Sequence, residues 1–272
     1  MRRLSAFAVL LAVVGAAAAA SAQAPAAGDA AKPKRKLLVF TYSAGFRHDA
    51  IPTLTEALLL MGEKTGAFAA TVTRDPDAFE PANLAKYDAV FFYTTRNVLP
   101  KPEQRQALFD FVKGGKGFVG SHCATDTLYD NAPENCPEYG DMIGGYFDGH
   151  PWHQEIVAKV EDAKHPATRD LPAAWKLTDE IYQFRNFSRD RVRVLMSLDA
   201  ASADVSKGKR ADKDYALAWC RECGKGRVFY TALGHRKELW ADDTFLTKHI
   251  LPGIRWAFGD EAGDATPQAK PQ

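Results

Sequence analysis

The 272-residue sequence lacks the short motifs that identify the commonest nucleotide and metalloprotease sites. No Gly-x-Gly-x-x-Gly follows its first apolar run, and neither a phosphate-binding loop nor a His-Glu-x-x-His pair is present. It has no block of basic residues, and 35 Lys and Arg balance 34 Asp and Glu. Nucleic acids and anionic membrane surfaces are usually bound through such a block. These absences predict that neither is a partner.

Cysteine is scarce, with only Cys123, Cys136, Cys220 and Cys223. A zinc site on Cys220 and Cys223 would need a second matching pair, and Cys123 and Cys136 lack that spacing. A redox pair needs a helix N-terminus, whereas the Gly-Lys-Gly segment 224–226 that follows favours a turn. We therefore expect structural cysteines, with a local disulfide between Cys220 and Cys223 across a hairpin as one option.

The first residues predict an export signal. Arg2 and Arg3 precede an apolar run, 4–20, and the Ala-Ser-Ala sequence 20–22 suits cleavage after Ala22. An uncleaved anchor is the alternative, but the run is short for a spanning helix. We expect a signal peptide over 1–22, a disordered tether over 23–35, a periplasmic or secreted protein, and no stable membrane anchor after cleavage.

Strands alternate with helices through the first half of the chain. Buried strands are predicted over 37–42, 68–74, 87–93 and 118–119, with helices from about 51 and over 102–114. The second half is richer in strands, predicted over 155–160, 191–198, 215–219 and 228–233, before a closing helix over 243–258. This order predicts one α/β domain, residues 36–259, with a mainly parallel sheet covered on both faces, followed by a flexible tail, 260–272.

The segment 114–126, Gly-Gly-Lys-Gly-Phe-Val-Gly-Ser-His-Cys-Ala-Thr-Asp, predicts a sharp turn after a buried strand. Ligands of open α/β sheets bind at the carboxyl ends of the strands. His122 therefore lies where a nucleophile or base would lie, with Asp126 just beyond it to orient it or to bind a hydroxyl.

The histidines indicate where a site would form. Of seven in the sequence, five fall in predicted loops, and His48, His122 and His235 each follow a strand. His150 and His153 lie in a loop before another strand. We expect these five to converge at one sheet edge. The other two, in a turn before Pro166 and in the last helix, are set aside as turn and helix-surface residues: His165 and His249.

Several short motifs, taken in order, resemble the ThuA-like (trehalose-utilisation) family. They are Phe40-Thr41, Gly45-Phe46-Arg47-His48, Gly117-Phe118-Val119-Gly120-Ser121-His122, Gly144-Gly145-Tyr146-Phe147, His150-Pro151, Asp179-Glu180-Ile181-Tyr182, the Gly-Lys-Gly-Arg-Val-Phe-Tyr segment 224–230, and Leu233-Gly234-His235. The resemblance spans about Lys36 to Gly259. It implies the class I glutamine-amidotransferase-like fold, which is a flavodoxin-like three-layer sandwich. It also implies a role in carbohydrate catabolism, on disaccharides or oxidised (keto) sugars.

One position departs from the amidotransferase pattern, in which a cysteine at the turn is the nucleophile. Here His122 occupies that turn and Cys123 follows one residue later, where its side chain points elsewhere. We therefore expect Cys123 to be a small packed residue and the protein not to be a glutaminase.

The expected chemistry is acid/base catalysis by histidine on a sugar hydroxyl or on a carbon beside a carbonyl. The predicted catalytic residues are His122, Asp126, Glu180 and His235. The predicted substrate-binding residues are Arg47, His48, His150, His153, Tyr182 and Trp240. Asp179, beside Glu180, is interpreted as a solvated surface carboxylate.

Two other functions stay open at this point. One is a carbohydrate-binding domain without catalysis. The other is a metal-dependent hydrolase, since histidines converging with a carboxylate can bind a divalent metal. No spacing matches a helix-borne ligand pair, so no residue is assigned as a metal ligand and the cofactor is left undefined.

Overall fold

The computed structural model describes residues 34–269. The predicted signal peptide, 1–22, and all but the end of the predicted tether, 23–35, lie outside the described residues. The strands are β1 (Arg35–Phe40), β2 (Phe68–Thr73), β3 (Ala89–Phe92), β4 (Gly117–Ser121), β5 (Tyr146–Phe147), β6 (Trp152–Val160), β7 (Ala174–Ile181), β8 (Phe184–Arg185), β9 (Arg193–Leu198), β10 (Ala216–Cys223) and β11 (Gly226–Thr231). The α-helices are α1 (Ile51–Thr65), α2 (Pro81–Leu84), α3 (Pro102–Lys113), α4 (Pro137–Ile143), α5 (Asp243–Phe245) and α6 (Leu251–Phe258).

A nine-stranded sheet in the order β2-β1-β3-β4-β11-β10-β9-β6-β7 organises the fold. The first five strands in that order are parallel to their neighbours, and the remaining pairs are antiparallel. Because two antiparallel steps restore the direction, only β6 and β10 run opposite to the rest. Short, fully buried apolar strands such as β3 are typical of a sheet covered on both faces.

Each face of the sheet has its own apolar core. On one face α1 and α6 contribute Leu54, Leu58, Ile254 and Trp256. On the other, α3 and α4 contribute residues that include Leu108 and Met142. The periodicity of the helices and the apolar strands together produce these two layers. The predicted three-layer α/β sandwich with a mainly parallel sheet is confirmed.

Strand β7 carries Glu180 and was not among the predicted strands. Its residues 174, 176 and 178 are exposed and alternate with inward ones, but the inward position 179 holds an aspartate instead of an apolar residue, which weakens the strand pattern. β6 pairs with β9 only through Ala158–Val160, whereas it pairs with β7 from Trp152 onward. The β6–β7 hairpin therefore extends past β9, and the end of β7 reaches the sheet edge where β4 and β11 end.

The predicted loose tail is wrong for residues 260–269, which pack against the domain. Asp260 pairs with Arg35, and Asp264 pairs with Arg193. Backbone oxygens of Glu261 and Gly263 accept hydrogen bonds from Arg227 and Trp256. The charged residues of this segment favoured the prediction of a solvated tail, because their partners are distant in the sequence and could not be identified from it.

The closing helix is interrupted rather than continuous. A π-helical turn, Leu246–Ile250, joins α5 to α6. Pro252 has no N–H group to complete the regular helical ladder, and a widened turn before it accommodates this. Among residues 34–269, no helix is long and apolar enough to span a membrane.

The interpretation of two cysteines and one histidine is corrected. Cys220 and Cys223 both lie on β10, where residues three apart point to opposite faces, so the suggested disulfide between them does not form and both are free thiols. The hairpin turn lies after them, at Gly224. His249, expected on a helix surface, is completely buried, and His165, expected in a turn, lies in one but is only 1% exposed.

Candidate functional site

His122 lies at the turn that follows β4. It adopts a positive φ of 45°, which is uncommon for a residue with a side chain, and its ring is completely buried. Its Nδ1 is 2.9 Å from the carbonyl oxygen of Ala232. Because a carbonyl only accepts, Nδ1 carries the proton and Nε2 presents its lone pair to the site.

His235 is carried by the turn after β11. Gly234 has a φ of +111°, and a Cβ there would lie 2.8 Å from Ser121 Oγ, so the turn needs glycine. The carbonyl of Gly234 accepts hydrogen bonds from the Tyr93 hydroxyl and the Trp240 indole, both at 2.9 Å. These bonds fix the half-buried His235 ring against His122, with Nδ1 3.1 Å from His122 Nε2.

Asp179 holds the same turn from the other side. Its carboxylate accepts hydrogen bonds from the backbone N–H groups of Gly234 (2.7 Å), His235 (3.4 Å) and Arg236 (2.9 Å). Burial raises the pKa of this carboxyl, although His122 and the backbone N–H groups act in the opposite direction. Asp179 is therefore buried and structural, which corrects its interpretation as a surface carboxylate.

Glu180 places a buried carboxylate among the histidines. Its Oε2 is 3.4 Å from His122 Nε2 and 3.3 Å from His235 Nδ1, and its Oε1 is 3.4 Å from His150 Nδ1. Burial acts to raise the pKa of Glu180, but the neighbouring His122 and His235 outweigh it and lower the pKa strongly. For His235 burial lowers the pKa, but the bond and charge of Glu180 reverse the effect, so its pKa is raised.

His48 completes the inner group. It is 5% exposed, and its ring lies 5.0 Å from that of His122 and 5.3 Å from that of His235, centroid to centroid. Burial, followed by the neighbouring His122 and His235, lowers its pKa to about 3. Its Nδ1 is buried without a hydrogen-bond partner among residues 34–269. His48 is thus a neutral imidazole with an unsatisfied nitrogen.

The outer rim of the site is aromatic and accessible. His150 is exposed and stacks on Phe147 at 5.8 Å, and Phe147 contacts Tyr182 at 4.3 Å. The Tyr182 ring centroid in turn lies 4.1 Å from that of His122, but Tyr182 is only 3% exposed, so it packs beneath the rim and is not accessible for the predicted substrate binding. His153 is exposed, with its ring 5.1 Å from His235. The structure therefore brings the five expected histidines together at one edge.

Phe46 and Arg47 lie on the loop that leads to His48. Arg47 is exposed at this loop. Phe46 is 67% exposed, the most exposed large apolar side chain of the described chain. Its ring packs edge-on against His48, with 4.8 Å between the ring centroids. Neither Phe46 nor Phe147 was predicted as a site residue. The signal that could have identified them is position, because both lie inside the motifs that also carry His48 and His150.

Two predicted site residues lie beside the site rather than in it. Asp126 accepts a hydrogen bond from Tyr129, and the nitrogens of His122 contact Ala232, His235 and Glu180 instead. Asp126 therefore does not orient His122. Trp240 is 2% exposed, and its ring packs on Phe91, Tyr93 and Phe245 beneath the Gly234 turn. Its indole supports the turn and does not face the rim.

Cys123 is 1% exposed in the core. Burial, with the charge of Asp126, raises the pKa of its thiol well above the usual value. A thiol that stays protonated is a poor nucleophile.

Four of these residues form a donor set that could hold a cation. One ligand atom from each of His48, His122, Glu180 and His235 lies within 4.8 Å of the others. Apart from this, the arrangement can polarise or exchange protons with a group bound at the rim, because it combines a buried carboxylate with accessible imidazole.

Comparison with known proteins agrees with the fold. A ThuA-like protein from Bacteroides uniformis is similar at 23% identity, with 86% of this chain and 95% of that chain covered and a TM-score of 0.66. A ThuA-like protein from Parabacteroides merdae is similar at 19% identity, with 88% and 94% covered and a TM-score of 0.65. A cytoplasmic protein from Salmonella typhimurium shares the fold at 14% identity, with 82% and 97% covered and a TM-score of 0.52.

No curated protein matches the sequence. The family described as "ThuA: Trehalose utilisation" matches residues 36–257. This match covers most of the chain and includes β1, β4, β7 and β11, the strands whose ends carry the inner histidines and Glu180. The chain belongs to the ThuA family.

Proposed function

We propose that this protein is an exported enzyme of carbohydrate catabolism that acts on a disaccharide or keto-sugar derivative by histidine acid/base chemistry. The observation that carries the proposal is the convergence of five histidines and the buried Glu180 at the carboxyl edge of the sheet. A binding module needs shape and hydrogen bonds, but it has little need for buried imidazoles whose pKa values are shifted.

The division of labour among the histidines follows from exposure. The ring of His122 is completely buried and both of its nitrogens face protein atoms, so it positions other groups and does not reach a sugar. His150 is exposed and lies beside Glu180. In our proposal His150 exchanges the proton with the substrate.

The rim offers the surfaces that sugars need. Phe147 presents an aromatic ring beside His150, and the exposed Phe46 presents another beside His48. Arg47 and His153 are exposed polar groups at the same rim that can donate hydrogen bonds to hydroxyls. Hydrolysis of glutamine is not proposed, because the only cysteine near the turn, Cys123, is buried with a raised pKa.

The test is turnover of disaccharides and their keto derivatives by the chain beginning at Gln23, followed by chromatography of the products. We expect conversion of a keto sugar, reduced about 10²–10⁴-fold in kcat by His150→Gln with folding unchanged. Glu222→Gln is the control, since Glu222 is an exposed carboxylate on β10, outside the site. Sugars that bind but are never converted would leave a carbohydrate-binding domain and refute the enzyme.

Export has its own test. The proposal expects the mature N-terminus at Gln23 in the periplasmic or culture fraction, read by mass spectrometry. An intact Met1 in the cytosolic fraction would contradict it.

A further inference from the structure

We propose that His48, His122, Glu180 and His235 form a binding site for one divalent transition-metal ion of the zinc class. The inference rests on the proposed function only for its chemical consequence, namely that the ion lies at the reaction centre. The binding site itself is argued from geometry.

Three donor atoms have the spacing that a tetrahedral metal ion requires. His122 Nε2, His235 Nδ1 and Glu180 Oε2 lie 3.1, 3.3 and 3.4 Å from one another. Zinc binds histidine nitrogen and carboxylate oxygen at about 2.0–2.2 Å in a tetrahedron, whose edges are then roughly 3.3–3.6 Å. The three atoms therefore already have the size of one face of a zinc tetrahedron.

Protons alone cannot satisfy the hydrogen-bonding needs of the triangle formed by His122 Nε2, His235 Nδ1 and Glu180 Oε2. His122 Nδ1 donates to Ala232, so in the neutral ring Nε2 has only a lone pair, which faces the Glu180 carboxylate. One proton on His235 Nδ1 can serve His122 or Glu180, but it cannot serve both well. A cation at the centre accepts all three lone pairs at once.

His48 adds a fourth donor and a buried nitrogen that lacks a hydrogen bond within the described chain. It provides the fourth donor within 4.8 Å, and its buried Nδ1 has no hydrogen-bond partner among the described residues. Buried polar atoms are satisfied in the great majority of cases, so an orphaned nitrogen needs an explanation. A metal ion at this cluster would satisfy that nitrogen if His48 binds the ion through Nδ1.

The surroundings resemble those of known metal centres. The ligating ring of His122 donates its other N–H to a backbone carbonyl, an arrangement that fixes the tautomer and the ring orientation. Asp179 fixes the loop of His235 through three backbone N–H groups. Three imidazoles with one carboxylate suit zinc and its first-row neighbours, whereas calcium and magnesium prefer oxygen ligands.

The predicted position gives the ion a role in the proposed chemistry. Oε1 of Glu180 points away from the triangle toward His150, 3.4 Å from its Nδ1. A keto-sugar carbonyl bound at the rim would enter as a fifth ligand, to which zinc coordination can expand, and the ion would polarise it while His150 exchanges the proton with the substrate.

The experiment is titration of the chelator-stripped mature chain with Zn²⁺ by calorimetry and with Co²⁺ by visible absorption. We expect one ion per chain and the intense absorption of tetrahedral Co²⁺. His235→Ala and the isosteric Glu180→Gln should weaken binding at least about 100-fold, since even loss of outer partners costs 10–100-fold. His153→Ala, which removes an exposed rim histidine outside the donor set, should leave the stoichiometry unchanged.

Binding that is substoichiometric, or that persists in a folded Glu180→Gln and His235→Ala double variant, would overturn the metal site. Its failure is separable from that of the proposed function. Turnover of a keto sugar by metal-stripped protein would refute the metal's role and keep the enzyme. Stoichiometric metal binding without turnover of any sugar would keep the metal site and refute the enzyme.

Discussion

Asp179→Asn tests whether one buried carboxylate holds the loop that carries His235. The carboxylate accepts three backbone N–H groups, from residues 234, 235 and 236. An asparagine has one oxygen, so its amide group must face one of those N–H groups, and donor then meets donor. Each lost hydrogen bond to a charged acceptor is worth about 1.5–3 kcal/mol, and an unpaired buried N–H adds about 1 kcal/mol.

Burial of the Asp179 charge is itself unfavourable, and the substitution removes that cost. The net loss should therefore be about 2–4 kcal/mol in the free energy of unfolding. For a domain of this size 1 kcal/mol corresponds to about 2–4 °C in Tm, so the expected decrease is about 4–16 °C. Calorimetry measures it, and hydrogen exchange should show that the Gly234 and Arg236 amides lose protection.

Asp242→Asn is the matched control. Asp242 is exposed and accepts one N–H group, that of Phe245, at a helix start, where asparagine caps as well as aspartate. We expect a change below about 1 kcal/mol. If the two variants lose the same stability, or if Asp179→Asn leaves exchange at Gly234 unchanged, then the carboxylate does not hold the turn as argued. In the metal proposal the same variant should also bind Co²⁺ about 10–100-fold more weakly.

Three further predictions follow from buried groups. His249 is fully buried and its pKa is lowered to about 4, so on acidification the unfolded chain binds this proton before the folded chain does. The contribution of His249 to stability should therefore be constant above pH 6.5 and fall by about 3 kcal/mol as pH decreases toward 4. Urea unfolding at several pH values should show that the free energy of unfolding depends less on pH in His249→Asn than in the wild type. An unchanged pH dependence would contradict the assignment. Gly234→Ala should lose about 1–3 kcal/mol, because φ is +111° and the new Cβ meets Ser121 Oγ and the Trp240 ring. Its Tm should decrease, and a Tm equal to that of the wild type would refute this account of the turn. Thiol titration of the denatured, unreduced protein should find all four cysteines free, whereas two missing thiols would indicate a disulfide.

The alternation of apolar runs was enough to predict the layers of the fold. Strands such as 37–40 and 89–92 are buried on both faces, and a continuous apolar run is the signature of that environment. Strand β7 was not predicted because its inward positions include Asp179. The sequence does not reveal that three distant backbone N–H groups satisfy this carboxylate. The packing of residues 260–269 against the domain was not predicted for the same reason, because the charged residues of this segment have partners that are distant in the sequence.

For the site, the sequence alone determined which histidines follow strands. Parallel strands end at a common edge, so His48, His122 and His235 had to lie near one another once the sheet was inferred. Only the tertiary structure decided the contacts among them. The extension of the β6–β7 hairpin past β9 brings Glu180 to within 3.4 Å of His122, and the Gly234 turn places His235 beside both. The tertiary structure also shows that Asp126 and Trp240 lie outside the rim. Periodicity specifies which face of an element is buried, whereas side-chain contacts depend on twist and turn geometry that non-local packing sets.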